Sequence, residues 1–347
     1  MIDVIIPAYN SQDTIIRTLS SIAMQLNRNE LVVTIVNDGG KDYKNIVNVF
    51  SSVLNIKEIG YDENKGPGYA RQYGIDNTKE DFITFIDADD TFMDACSLSI
   101  LSKPIKDTSA KFVISKFTQI GKDPSFQSLI NSNLVWVFGH IFRRSFLDQH
   151  NIRFTSTRAN EDVGFNTMCN LIAQNDMGPE GGKILDAATY QWHYNEVSIT
   201  RRGKTEYEFG ICTPGYIYNL HNAYNIAQRE GVPLKSIANP ALETAFSCYI
   251  YYNVALAKKV PEKTLSAIEE LSRKFFHDYY NQIQKYISEE EYNNIYTKAY
   301  NGKMAHLQGI IFKITLDDFI KLMFSKKPNE ITYEEIENDI IKTLNVN

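Results

Sequence analysis

Cysteine is scarce in this chain of 347 residues, and its distribution limits the kinds of site it can form. The four cysteines stand singly, without the paired spacing of zinc ribbons or redox motifs; they are Cys96, Cys169, Cys212 and Cys248. We therefore expect buried, reduced thiols rather than a disulfide framework.

Long apolar runs are absent as well. No segment reaches the roughly 20 apolar residues of a membrane span. Met1 leads directly into Asp3 and a short apolar run, without the basic and apolar regions of a signal peptide. The sequence predicts a soluble, cytoplasmic protein and leaves a peripheral membrane contact open.

The chain also lacks an excess of positive charge. Its 36 basic and 42 acidic side chains give a net charge of -6, which provides no general attraction to nucleic acid or anionic lipid. With 43% hydrophobic residues and only 10 prolines, the composition is typical of a globular protein rather than a disordered one. The length exceeds an average domain of about 100 to 150 residues, so we expect two domains.

Apolar runs alternate with helical patterns in the first part of the chain. Val4–Pro7 and Leu31–Val36 read as strands, and between them Asp13–Leu26 places Ile15, Ile16, Leu19, Ile22, Ala23 and Leu26 on one helix face. A strand, a helix and a strand then recur at Ile56–Ile59, Gly68–Asn77 and Asp81–Ile86. This alternation predicts an α/β fold with a doubly wound, mostly parallel sheet.

The pattern changes near residue 204. Before it lie further strand-like runs and one helical stretch, Phe112–Ser115, Val135–Phe142, Glu161–Ala173 and Ile184–Trp192. After it come helical periodicities, Tyr207–Arg229, Pro240–Lys258, Glu262–Ile287, Glu289–Tyr300 and Leu316–Phe324. We predict a catalytic domain over 1–204, with Arg201–Lys204 as the boundary, and a mainly helical domain over 205–347 with an acceptor-binding or oligomerisation role.

An acidic cluster follows the buried run Phe82–Ile86. In an open α/β sheet, ligands collect at the carboxyl ends of strands, where Asp87 and Asp89 would lie together. Two close carboxylates repel unless a cation neutralises them, and Mn²⁺ or Mg²⁺ prefers oxygen ligands. The alternative is a solvated turn or a helix N-cap, where aspartate is also favoured.

Two glycine-containing segments follow other strands. Asp38 precedes Gly39 and Gly40, which permit close backbone approach, so its carboxylate could accept hydrogen bonds from a base or ribose. Lys65 and Arg71 flank the second segment at a helix start, where backbone N–H groups favour anions. Taken singly, both segments are also compatible with ordinary turns.

The order of these motifs resembles that of family-2 glycosyltransferases with the GT-A fold. The resemblance covers about the first 200 residues and rests on four segments, Ile5-Ile6-Pro7-Ala8-Tyr9-Asn10, Asn37-Asp38-Gly39, Asn64-Lys65-Gly66 with Ala70-Arg71, and Asp87-Ala88-Asp89. The chain has Gly40 where the family more often has serine.

By this resemblance, the segments would bind a UDP-sugar and its metal ion. Pro7, Tyr9 and Asp38 would line the nucleoside pocket, and Lys65 and Arg71 would approach the base or diphosphate. Asp87 and Ala88 would belong to the donor site, with Asp89 as the direct ligand of Mn²⁺ or Mg²⁺ and Asp87 beside it.

The acidic pair Glu161 and Asp162 resembles the segment that supplies the catalytic base in this family. An inverting transfer needs a carboxylate to take the proton of the acceptor hydroxyl, and we assign this role to Asp162, with Glu161 facing the acceptor or the loop. The alternative is that the pair only opens a helix, since acids stabilise its N-terminal dipole.

Further residues are weaker candidates. His193 is a candidate metal ligand, with a solvent-facing strand end as the alternative. Arg201 or Arg202 could contact the diphosphate. His140 could touch a sugar or serve only the structure. Trp136 and Trp192 are expected to pack in the core before they stack on sugars.

The resemblance therefore implies an inverting hexosyltransferase that takes a UDP-sugar and a divalent metal. The acceptor stays open between a glycan, a lipid-linked saccharide, a protein and a modified nucleic acid base, and the helical domain could support a homo-oligomer. One alternative is a nucleotide-sugar-binding module without catalysis. Another is a nucleotidyltransferase, which would carry a Gly-rich loop with a basic residue where this chain has Ala8-Tyr9-Asn10-Ser11.

Overall fold

The computed structural model describes residues 1–196, 204–303, 310–330 and 332–344. They form two compact units, divided after Glu196. Most of the predicted boundary Arg201–Lys204 lies outside the described residues.

The first unit is built on one mixed sheet with the strand order β3-β2-β1-β4-β8-β6-β9-β5, and β7 pairs with β6. The strands are β1 (Ile2–Ala8), β2 (Leu31–Asp38), β3 (Ile56–Tyr61), β4 (Phe82–Phe85), β5 (Thr91–Phe92), β6 (Phe112–Ile120), β7 (Gln127–Ile130), β8 (His140–Arg143) and β9 (Gly182–His193). The first four strands pair in parallel. Beyond them only β6 and β9 are parallel, while β8 runs antiparallel to both β4 and β6.

Six α-helices of this unit cover the sheet and connect its strands. They are α1 (Gln12–Ala23), α2 (Lys44–Phe50), α3 (Pro67–Asp76), α4 (Ser97–Asp107), α5 (Arg144–Gln149) and α6 (Glu161–Met177). Ile15, Leu19 and Ile22 of α1 are fully buried in the core formed with β1 and β2. Ile16 is 51% and Leu26 70% exposed, so the predicted apolar face was too wide.

The apolar run Val135–Phe142 forms a strand only in its last part. Only His140–Phe142 of that range belongs to a strand, β8. Residues 131–139 form a loop, and Gly139 has a φ of +70°, outside the extended region of a strand. The apolar side chains of this loop pack against other aromatic rings. A run of apolar residues in the sequence does not distinguish such a loop from a strand.

The second unit is helical in its described part. Its helical segments are Lys204–Tyr207, Glu208–Cys212, Thr213–Arg229, Leu234–Lys258, Glu262–Phe275, Phe276–Tyr280, Asn281–Ile283, Gln284–Tyr286, Glu289–Gly302, Leu316–Phe324 and Tyr333–Leu344. The predicted start at Pro240 was wrong, because Leu234–Lys258 is continuous and holds this proline inside. The segment Glu289–Gly302 begins with a complete capping box between Ser288 and Glu291.

The four cysteines form no disulfide bond with one another. Cys169 and Cys248 are buried as expected, Cys212 is half-buried, and the expectation of burial is wrong for Cys96, which is exposed. In the described part of the chain, no helix combines the length and the apolarity needed to span a bilayer.

Candidate active site

The acidic segment 87–90 leaves β4 at the centre of the sheet and turns immediately. The N–H of Asp90 donates to the carbonyl of Asp87 at 3.0 Å, and Ala88 is buried. Asp87 and Asp89 are half-buried on either side of Ala88. The strand therefore delivers two partly accessible carboxylates to one edge, as the sequence predicts.

Asp90 fastens this segment to the end of β9. Its carboxylate accepts from the Tyr190 hydroxyl at 2.7 Å and from the His193 backbone N–H at 2.8 Å. Burial raises its pKa well above the ordinary 3.8, and the charges of Asp87 and Asp89 add to this shift. Sequence reasoning missed Asp90 and Tyr190, because their contact joins residues 100 positions apart.

Arg71 lies between Asp87 and Glu161. Its Nη2 donates to Asp87 Oδ1 at 2.8 Å, and its Nη1 pairs with Glu161 Oε1. Burial opposes its charge, but Asp87 and Glu161 outweigh that cost and raise the pKa of the guanidinium, which therefore stays charged. Arg71 thus connects α3, the end of β4 and α6, and its predicted contact with a diphosphate remains a prediction.

The salt bridges of Arg71 depend on a close approach between the backbone at Gly68 and the side chain of Glu161. A Cβ added at Gly68 would lie 2.3 Å from the Thr155 carbonyl oxygen and 2.9 Å from Glu161 Cγ. Only glycine lets the start of α3 pack this tightly against the start of α6. Gly68 was predicted as part of an anion-binding turn, and in the structure it also sets the distance between the two helices.

Asp89 is half-buried, and its carboxylate forms no salt bridge in the described part of the chain. Its Oδ2 accepts from Asn195 Nδ2 at 2.7 Å, and the Arg17 guanidinium donates to its backbone carbonyl. Burial and the neighbouring charge of Asp87 raise its pKa, partly offset by Asn195 and Arg17. Arg17 lies on α1 and was not singled out in the sequence, since nothing in the helical pattern marks it as facing the acidic segment.

His193 reaches the same region from β9. Its Nε2 lies 2.9 Å from Thr91 Oγ1. Burial, aided by the charge of Arg17, lowers its pKa to about 4, so the ring is neutral near pH 7, as a metal ligand must be. Among the described residues, however, no three His, Cys, Asp or Glu side chains are grouped to hold a metal ion.

Asp38 is engaged by the protein on both of its oxygens. Oδ1 accepts from the Tyr61 hydroxyl at 2.8 Å and the Lys65 N–H at 2.7 Å, and Oδ2 accepts from Asn64 Nδ2 and the Gly66 N–H, both at 3.0 Å. These four donors fill the roughly four acceptor positions of a carboxylate. Burial raises its pKa, and the hydrogen bonds oppose the shift. Asp38 therefore orders the loop 61–66, whereas the sequence suggested an acceptor left free for the base.

The remaining predicted donor residues lie around the ends of β1 and β3. Pro7 is half-buried in β1, and Tyr9 follows it with 48% exposure. A Cβ on Gly40 would lie 3.0 Å from the backbone N and from Oδ1 of Asn10 and 3.3 Å from the Tyr9 ring, which explains why glycine suits this position. Lys65 is exposed, with its ammonium 4.6 Å from the centre of the Tyr69 ring.

Asp162 lies in the first turn of α6, directly after Glu161. Its side chain is half-buried, and one oxygen accepts from the Val163 N–H at 2.9 Å. Burial and the adjacent charge of Glu161 raise its pKa well above the ordinary 3.8, which makes it a stronger base than a solvated aspartate. Glu161, expected to face the acceptor or the loop, is instead buried against Arg71.

His140 has a structural environment. It is buried, its Nδ1 lies 3.3 Å from Asn166 Oδ1, and burial lowers its pKa to about 3. Trp192 packs partly buried against the core, as expected, whereas Trp136 is 38% exposed. Arg201 and Arg202 lie outside the described residues.

This arrangement can be compared with known proteins. Residues 3–160 match the model of glycosyl transferase family 2. The match lies within the N-terminal unit. The matched range includes the acidic segment and the loop held by Asp38, and it ends just before Glu161 and Asp162.

Solved structures confirm the GT-A fold with its helical C-terminal region. TarS residues 1–349 from Staphylococcus aureus, crystallised with UDP-GlcNAc, has a TM-score of 0.65 at 18% identity, covering 91% of this chain and 94% of that one. The mannosyltransferase PcManGT from Pyrobaculum calidifontis, in complex with GDP-Man and Mn²⁺, has a TM-score of 0.51 at 15% identity, covering 94% and 88%.

Curated relatives of the family 2 domain match over shorter stretches. The poly(ribitol-phosphate) beta-N-acetylglucosaminyltransferase TarS of Staphylococcus aureus is 27% identical over 168 residues, 44% of this chain and 29% of TarS. The succinoglycan biosynthesis protein ExoO of Rhizobium meliloti is 26% identical over 227 residues, 57% and 62% of the two chains. The chain covers only 15% to 29% of the length of the first three curated relatives.

Proposed function

We propose that this protein is an inverting glycosyltransferase that moves a hexose from a UDP-sugar to a hydroxyl acceptor. The observation that carries the proposal is that Arg71 binds Asp87 on one side and Glu161 on the other. Asp87 and Asp89 stand at the carboxyl end of β4, and Asp162 stands at the start of α6, next to the Glu161 that Arg71 holds. These positions support a donor site with a catalytic base beside it.

The acidic segment suits a divalent cation in its donor chemistry. Asp87 has Arg71 as a partner, but the carboxylate of Asp89 makes no salt bridge within the described ranges, and its pKa is raised by burial and by Asp87. Mg²⁺ and Mn²⁺ favour oxygen ligands, and Mg²⁺ typically binds through one or two carboxylates plus substrate phosphates, so a three-ligand protein cluster is not needed. Asp89 would hold the ion with Asp87 or His193 beside it. A bound ion would neutralise the charge that develops on the leaving diphosphate.

The chain's own residues then divide the work between donor and acceptor. Pro7 and Tyr9 border the nucleoside pocket, and Asp38 shapes it by holding the loop that carries Lys65. Asp162 takes the proton of the acceptor hydroxyl as that oxygen attacks the anomeric carbon from the face opposite the leaving diphosphate. The raised pKa of Asp162 favours this transfer.

The donor is proposed from family resemblance and from the TarS complex with UDP-GlcNAc. The complex of PcManGT with GDP-Man and Mn²⁺ keeps a guanosine donor as an alternative. A homo-oligomer through the helical unit remains a prediction, which light scattering of the purified protein would check.

A nucleotide-sugar-binding module without catalysis is the second candidate. It would need Asp89 for binding but would not need Asp162 as a base. The half-buried carboxylate of Asp162, with its raised pKa, favours an enzyme over a binding module.

The test is a thermal-shift comparison with UDP, GDP and CDP, each with and without Mn²⁺. A ligand at about 100 times its dissociation constant adds about 2.7 kcal/mol of stability, so binding is readily visible. We expect a manganese-dependent rise with UDP. A rise with GDP instead would change the donor, and no rise with any nucleotide would overturn the assignment of the donor site.

The matched variants are Asp89→Ala and Asp107→Ala. Asp89→Ala should remove the manganese-dependent part of the shift. Asp107 is an exposed aspartate at the end of α4, so its variant should retain the shift.

A further inference from the structure

Trp136 presents an exposed aromatic surface although its neighbours are core residues. It is 38% exposed. Its ring centre lies 5.6 Å from that of Phe138, nearly parallel, and 5.4 Å from that of Phe117, edge to face. Phe117 and Phe138 are themselves 5.1 Å apart, so the three centres form a nearly equilateral triangle. Two aromatic rings thus pack against the indole, while 38% of the residue stays exposed.

The aromatic stack connects this surface to the acidic segment. Phe138 stacks on Tyr190 at 5.0 Å, with an interplanar angle of 18°. The Tyr190 hydroxyl accepts from the Asp87 N–H at 3.2 Å and donates to Asp90 at 2.7 Å. Trp136 is thus separated from the acidic segment by two packed rings.

A second connection fixes the backbone of Trp136 to the helix that carries Asp162. Asn166 Nδ2 donates to the carbonyls of Trp136 at 2.9 Å and Leu134 at 3.3 Å. Asn166 follows Asp162 by one helical turn, so the two side chains leave the same face of α6, with Cβ atoms about 5 to 6 Å apart. The buried ring of His140 holds Asn166 in place.

We propose that Trp136 is a binding platform for a saccharide acceptor. The exposed part of the indole would stack on the apolar C–H face of a pyranose ring and direct one of its hydroxyls toward Asp162. The inference rests on the proposed glycosyl transfer and narrows the acceptor from four classes to those that present a sugar ring.

The chemistry around the platform favours a saccharide over a nucleobase, which could also stack on an indole. Asp162 supplies a hydrogen-bond acceptor for a sugar hydroxyl, one helical turn from the Asn166 that holds the Trp136 backbone. The net charge of -6 opposes a polyanionic nucleic acid.

The chain offers a direct optical test because it contains only two tryptophans, Trp136 and Trp192. In the full-length Trp192→Phe variant, Trp136 is the only indole. We would titrate this variant with N-acetylglucosamine, cellobiose, methyl glucoside and octyl glucoside, and with uridine and adenosine in parallel. The matched control is Trp136→Phe, in which Trp192 is the only reporter.

We expect a saturable change in emission with pyranosides in Trp192→Phe and none in Trp136→Phe. Trp136→Ala should weaken calorimetric binding of the strongest pyranoside about tenfold, equivalent to about 1.4 kcal/mol. Similar responses to methyl and octyl glucoside would show that the sugar ring is recognised, whether it comes from a free glycan or a lipid-linked saccharide.

Three results would overturn the platform: silence with every pyranoside, a response to octyl glucoside alone, or a stronger response to adenosine. The thermal shift with UDP and Mn²⁺, measured on the same variants, separates this outcome from failure of the donor site. If that shift persists while the pyranosides are silent, only the platform is wrong.

Discussion

Single side chains in this protein owe their chemistry to burial as much as to their neighbours. Asp162 and Glu161 follow each other in sequence, yet one is half-buried at the start of α6 and the other is sealed against Arg71. The adjacent charge and burial raise the pKa of Asp162, which suits a base. The two acids are therefore expected to respond differently to neutralisation.

Asp162→Asn should retain nucleotide binding and lower transfer by at least about a hundredfold, the usual contribution of a general base. The control is Asp13→Asn, which removes an exposed aspartate from the first turn of another helix, α1. If activity were lost only because an acid had been removed from the N-terminus of a helix, both variants would lose it. Initial rates at saturating donor distinguish the two.

The wild-type rate should also fall on acidification at a higher pH than 3.8, because the raised pKa of Asp162 means that the base is protonated earlier. A pH profile that stays flat down to pH values near an ordinary aspartate pKa would contradict this.

His140 should make the folded state sensitive to acid. Its pKa falls from 6.5 to about 3 on folding, so the unfolded chain binds a proton first as the pH drops. Above pH 6.5 the His140 ring is neutral in both states and does not change the free energy of unfolding. Below pH 6.5 it lowers the free energy of unfolding by up to about 1.4 kcal/mol per pH unit. Urea unfolding at several pH values measures the slope.

His140→Asn removes this titration, so its slope should be shallower than that of the wild type. The raised pKa values of Asp90 and Asp162 act in the opposite direction, since protonation favours their folded forms, but they are common to both proteins. Parallel slopes would show that His140 is already charged in the folded state.

At the scale of elements, the loop 61–66 depends on one carboxylate. In Asp38→Asn, an amide NH2 group replaces one oxygen, which now accepts from two of the four donors. Those two donors lose their acceptor, so the variant should lose about 1 to 3 kcal/mol of stability. Chemical denaturation measures the loss, and Asp62→Asn, an exposed change in the same loop, should leave stability nearly unchanged. Equal stability of both variants would mean that the loop is held by other contacts.

The elements that the sequence predicts well are those with buried, β-branched repeats. β1, β2 and β4 follow from such runs, and the parallel pairing follows from the helices between them. The two-residue β5 and the largely exposed β7 have no such pattern. Their strands form because β9 and β6 offer partners, and this pairing is not visible locally.

The candidate site divides in the same way. Asp87, Asp89 and Asp38 could be located because each follows a strand, so topology alone assigns them to one edge. The partners that define their chemistry could not be found. Arg17, Tyr190 and Asn195 approach from positions more than 70 residues away in sequence from the acids they contact.

At the scale of the molecule, the division after Glu196 predicts an independent first unit. Its apolar core extends from Ile2 to Tyr190 and uses only residues of that unit. A chain ending at Glu196 should unfold cooperatively and should keep the thermal shift with UDP and Mn²⁺. Circular dichroism during heating measures the transition. Loss of the shift with retained folding would assign part of the nucleotide site to residues beyond Glu196.

The bridge of Arg71 also bears on the order in which the chain can fold during synthesis. Its two anionic partners lie 16 residues and 90 residues further along the chain. Until α6 has left the ribosome, Arg71 has only Asp87, and the closely packed space around Gly68 has no Glu161 to fill it. Long-range contacts of this kind form late. We therefore expect the segment around Gly68 and Arg71 to reach its final packing only after α6 has been synthesised.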